Sequence, residues 1–96
     1  MFIVELSYTK PLIEVDAHLE AHRNFLAEQY RAGTFIASGP KEPRTGGIIL
    51  ARSDSPEELA AVLAQDPFHV HGIAEYRVIQ FHVRAVSPGL EQWIDT

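Results

Sequence analysis

Thr34-Phe35-Ile36-Ala37-Ser38-Gly39-Pro40-Lys41-Glu42-Pro43-Arg44-Thr45-Gly46-Gly47-Ile48-Ile49-Leu50-Ala51-Arg52 holds two strands in succession, and that succession decides the fold. Residues 34–38 are rich in β-formers and are closed by Gly39-Pro40. Residues 41–47, with Pro43 and Gly46-Gly47, make a polar loop of a length common between hairpin strands or over a pocket. Residues 47–52 are the next strand, and the run Ile48-Ile49-Leu50 predicts burial on both faces.

Upstream of this pair, residues 14–32 read as a helix. At about 100° per residue, Val15, Leu19, His22, Leu26 and Tyr30 fall on one stripe. The helix starts from Pro11 or is capped by Asp16, and Gly33 stops it. Before it, residues 2–8 form a strand with Phe2, Val4, Leu6 and Tyr8 on one face. Downstream, Ser55, Pro56 and Glu58 spell an N-cap, a first-turn proline and a capping box. Leu59, Val62 and Leu63 face inward from that second helix, which ends near Asp66-Pro67 because a residue before proline avoids the α region. A short turn is expected over 68–72 and the last strand over 73–86, with Tyr76 and Val78 on one face and Ile79, Phe81 and Val83 on the other. Ser87-Pro88-Gly89 then breaks to a tail, 87–96, with Leu90, Trp93 and Ile94.

The order β-α-β-β-α-β predicts an α+β, ferredoxin-like fold: a four-stranded antiparallel sheet with two helices on one face. Ile3, Ile49, Ile79 and Phe81 indicate apolar residues on both sides of that sheet. A monomer rarely tolerates an exposed apolar patch of several hundred Å², so two sheets stacked as a two-fold homodimer are expected, with Trp93 clasping the neighbour. The 96 residues fit one domain. With 46% hydrophobic and 22% charged residues the chain is globular in composition. A net charge of −5 with scattered cations argues against nucleic acid as a partner. The sequence contains no apolar run of the roughly 20 residues that span a bilayer, and its first residues do not read as a signal peptide. Zero cysteines exclude disulfides, thiol nucleophiles and cysteine-held metal sites. A cytoplasmic location is the expectation.

His22 is the outlier. It stands between Leu19 and Leu26 on the greasy stripe, where packing alone prefers an aliphatic residue. An imidazole against apolar neighbours that still reaches a polar partner is a proton carrier near neutral pH. Asp66, in the loop phrase Asp66-Pro67-Phe68, is the candidate partner. The bland alternative is a satisfied core histidine and a turn aspartate.

The phrases Ala21-His22-Arg23-Asn24-Phe25-Leu26, Arg31-Ala32-Gly33, Ser38-Gly39-Pro40 and Asp66-Pro67-Phe68 followed by Gly72, in this order and spacing, resemble the YciI-like (YCII-related) proteins. The resemblance runs from the first strand to the last. It implies the dimeric α+β barrel form of the ferredoxin-like fold. It also implies an active site with a histidine on the first helix and an aspartate in an Asp-Pro-aromatic phrase, matching His22 and Asp66. The chemistry it implies is similar to that of lyases and isomerases of this fold acting on aromatic-degradation intermediates, with dehydrochlorinase activity for some members.

A carboxylate on one ring nitrogen fixes the tautomer and raises the basicity of the other. Pro67 stiffens the loop carrying Asp66, and Phe68 is expected to wall a pocket against a flat ring. Ser38 is positioned to donate to a substrate, and Arg44 or Lys41 to attract an anionic group. The rival constellation is a metal held by His18, His22, His69 and His71 with Asp66. The glutamate of His18-Leu19-Glu20-Ala21-His22 is misplaced for the metalloprotease helix, and no metal is expected. Gly46-Gly47 lacks the Lys-Ser/Thr of a phosphate cradle, Ser38 lacks a nucleophile elbow, and no signature of a cofactor is present. The expected function is a small, cofactor-independent enzyme of lyase or isomerase type that abstracts a proton from a small aromatic or unsaturated compound. The alternative is a non-catalytic small-molecule-binding or accessory dimeric module.

Overall fold

The two successive strands expected between residues 34 and 52 are present. The computed structural model describes residues 1–95; Thr96, the last residue of the expected tail, lies outside the described residues. The elements are β1 (Phe2–Tyr8), α1 (Leu12–Ala17), α2 (Leu19–Ala32), β2 (Phe35–Pro40), β3 (Gly46–Ala51), α3 (Pro56–Leu63), α4 (Pro67–Val70), β4 (Ala74–Gln80) and a 3-10 turn, Glu91–Trp93. The four strands form one antiparallel sheet in the order β2-β3-β1-β4. No helix among the described residues is long and apolar enough to cross a membrane.

Each helical crossover is split. The first breaks at His18 (φ −111°, ψ 5°), which caps both α1 and α2. Such a bridge-region residue lets the chain turn without a proline or glycine. Pro11 is the N-cap residue of α1, as expected, whereas Asp16 lies inside the helix and its carboxylate meets Arg44. The break changes the phase of the apolar stripe, so His22 and Phe25 are the buried residues of α2, while Leu19 and Leu26 sit half-buried. Gly33 ends α2 in the left-handed region (φ 79°), where a Cβ is disfavoured. In the second crossover the Ser55 hydroxyl accepts from the Glu58 N–H, as the capping pattern requires. After α3, Asp66 caps α4 and Pro67 occupies its first position.

Phe2, Val4 and Leu6 of β1 pack against Val15, Phe25, Ile49, Leu59, Leu63 and Phe68. Ile49 stands opposite Val4 in the ladder and is buried with it. This corrects its assignment to the open face. Because side chains alternate across a strand, the β3 residues on that face are Ile48 and Leu50. They lie opposite Glu5 and Ile3, and Ile79 joins them from β4. Ile48 is 36% exposed and Ile79 41%. The last strand stops at Gln80 rather than 86, because β1 has no further residues to pair with it. The chain folds back on itself instead. The Val83 and Asp95 backbones meet, the Asp95 carboxylate accepts from the Val83 N–H, and Arg52 lies 5.1 Å over the Trp93 ring. In this chain Trp93 is thus engaged by a residue of its own.

Candidate active site

Asp66 is fully buried, and its two oxygens accept three hydrogen bonds. Oδ1 takes one from the Phe68 N–H (3.0 Å), the ordinary N-cap bond of α4. The same oxygen takes one from Nδ1 of His22 at 2.8 Å, across 44 residues of sequence. Oδ2 accepts from the Tyr76 hydroxyl at 2.7 Å. Asp66 is therefore both a cap and the partner of the histidine. Three donors satisfy the buried carboxylate, as a polar group removed from water requires. Burial, then the Asp66 charge and hydrogen bond, push the Tyr76 phenol well above its ordinary range, so it remains a donor.

Phe68 fixes the plane of the imidazole. Its ring stacks on His22 with centroids 4.0 Å apart and 5° between planes, and Tyr8 meets it edge-on at 5.9 Å. Phe68 is only 1% exposed. It also borders the cavity. Nδ1 of His22 is committed to Asp66, and Nε2 has no hydrogen-bond partner among the described residues.

His22 lines a cavity of about 320 Å³ between α1, α2 and the β2–β3 end of the sheet. That volume suits a small ligand. Leu6, Leu19, Leu26 and Ile49 supply apolar walls. Ser38 lines it too, its hydroxyl bonded to that of Tyr30. Arg44 is on the rim, paired with Asp16 at 2.5 Å, which raises the guanidinium pKa above its ordinary value. Lys41 is bound to Glu5 and Ser7, both at 3.2 Å. Gly46 permits the tight floor: a Cβ there would come within 1.8 Å of the Leu6 carbonyl oxygen.

The structure thus brings His22, Asp66, Ser38, Arg44 and Phe68 to one place. It does not assemble the histidine cluster. His18 stacks on His71 at 4.2 Å, His69 lies against Tyr76, and no group of three or more His, Cys, Asp or Glu among the described residues is placed to share a metal ion. Two residues escaped the sequence reading. Tyr76 was placed on its strand face but not given a partner, although a phenol on a core-facing position needs one. Arg23 also lines the cavity; its only signal is its place beside His22.

A structure search found 5-chloro-2-hydroxyhydroquinone dehydrochlorinase of Burkholderia phenoliruptrix, in complex with 2,5-dihydroxybenzoquinone, with TM-score 0.68 and 18% identity over 86% of this chain and 95% of that one. At that identity the likeness concerns the fold. Among curated proteins, no sequence matches this chain. The family pattern of the YCII-related domain matches residues 1–82, and the chain therefore belongs to the YCII-related family.

Proposed function

We propose that this chain is a small cytoplasmic enzyme of lyase or isomerase type, with His22 as general base or acid and Asp66 as its orienting partner. The observation that carries the reading is the 2.8 Å bond between His22 Nδ1 and the fully buried Asp66, on the wall of a cavity of ligand size. In the forward step, Nε2 takes a proton from a C–H or phenolic O–H of the substrate. The freed electron pair becomes a new π bond, and a leaving group such as chloride departs with its own bonding pair. No electron acceptor is needed, since the elimination is redox-neutral. Asp66 stabilises the imidazolium that forms, as a carboxylate does for a catalytic histidine elsewhere. Ser38 and Arg44 contact the substrate, and Phe68 keeps the imidazole in plane. The dehydrochlorinase activity of the structural neighbour supports this choice as fold-level analogy.

We further propose a two-fold dimer that closes the open sheet face into the barrel form of the ferredoxin-like fold. Ile48 and Ile79, exposed on that face, support it.

A panel of hydroxylated and chlorinated aromatics, screened for thermal stabilisation and then for chloride release or isomerisation, provides the substrate. His22→Ala and Asp66→Asn are each expected to lower kcat by about 100-fold or more with little change in KM. Undiminished turnover in both variants overturns the mechanism. Ligands that stabilise the protein but are never converted would instead favour a binding module.

A further inference from the structure

Two cations line the cavity, and one of them is already spent: Arg44 is neutralised by Asp16. Arg23 lines the same cavity and forms no ion pair among the described residues. It follows His22 directly on α2, so its position is fixed by the same helical turn that carries the imidazole. What sets Arg23 apart from the other cations without an ion pair is its place on the lining of a largely apolar hollow.

We propose that Arg23 forms an anion subsite, so that the ligand is a small ring compound bearing a negatively charged oxygen group, carboxylate or ionised phenol. This rests on the proton-transfer reading above and names its substrate class. Leu19, Leu26 and Ile49 take the apolar ring, leaving its charged edge toward Arg23. A guanidinium offers a planar fork of N–H donors that matches a carboxylate or neighbouring oxygens, and the apolar walls beside it strengthen the attraction. The charge also serves the chemistry: a positive group beside the ring stabilises negative charge as the proton leaves.

The test is equilibrium binding by calorimetry to the wild-type protein and to Arg23→Gln. The probes are 2,5-dihydroxybenzoate, its neutral amide 2,5-dihydroxybenzamide, and 4-nitrophenol above and below its ionisation. The expected result is binding of the carboxylate at least about tenfold tighter than the amide, a preference that shrinks to within about twofold in Arg23→Gln. Tighter binding of 4-nitrophenol in its ionised form would extend the subsite to phenolates; binding of the carboxylate alone would restrict it to carboxylates. Arg31→Gln, a charge change on the same helix away from the cavity lining, is expected to leave the preference intact. Equal affinity for acid and amide, equal weakening of both by Arg23→Gln, or no binding of either anion at millimolar concentration overturns the subsite. These outcomes do not bear on the dyad, which stands or falls on turnover by His22→Ala.

Discussion

Asp66 concentrates the physics of the site in one side chain. Removing any of its three donors leaves a buried acceptor short of a partner, which costs about 1–3 kcal/mol. Tyr76→Phe should lose stability in that range, measured by urea unfolding, because its hydroxyl is the donor to Oδ2. The tyrosine also sets a pH dependence. Its folded pKa is raised, so below about pH 10 both folded and unfolded states keep the proton and stability is flat in pH from this group. Above about pH 10 the unfolded chain releases the proton first, and stability falls as pH rises. Denaturation midpoints measured from pH 9 to 11 should show that decline in the wild type and a flatter profile in Tyr76→Phe. An unchanged slope would mean that the Tyr76 phenol is not held by the fold. The partnership of His22 and Asp66 was legible because an imidazole on an apolar stripe is conspicuous. Tyr76 was not, because a tyrosine on a strand fits the β pattern equally well with or without a bond to its hydroxyl.

The elements differ in how firmly local sequence dictates them. The start of α3 follows from Ser55-Pro56 alone, and Ser55→Ala should cost about 1 kcal/mol while leaving ligand binding untouched, by thermal unfolding and calorimetry. The break between α1 and α2 at His18 was not legible: no proline or glycine marks it, and the periodic stripe runs through it. What bends the chain is a bridge-region backbone, stacked with His71 of the second crossover, a contact between parts 53 residues apart. The end of β4 was missed for a similar reason. Its apolar alternation continues to Val83, but ladder length is set by the partner strand rather than by propensity. Gly46 illustrates the same dependence on tertiary contact. It read as half of a turn, yet it lies in β3 with the Leu6 carbonyl where a Cβ would be. Gly46→Ala should therefore cost about 3 kcal/mol or more, since the obstacle is backbone. Wild-type stability in that variant would show that β1 and β3 separate easily at this end.

At the scale of the molecule, the strand–helix order and the family were legible from the order of motifs, and the buried helix residues pack on the sheet face of Phe2, Val4 and Leu6. Its other face carries Ile48, Leu50 and Ile79. If a second copy covers that face, Ile79→Asp should convert a dimer to a monomer in sedimentation velocity, with a loss of thermal stability. A wild-type protein that sediments as a monomer at micromolar concentration would remove the dimer from the proposal. The central claim is narrower: Asp66 holds His22 as the Nδ1–H tautomer, leaving Nε2 bare toward the cavity. Nitrogen-15 NMR of the His22 imidazole near neutral pH tests it directly. The account predicts a protonated Nδ1 with a downfield, hydrogen-bonded proton that is lost in Asp66→Ala. An Nε2–H tautomer in the wild type, or a spectrum indifferent to Asp66, would contradict it.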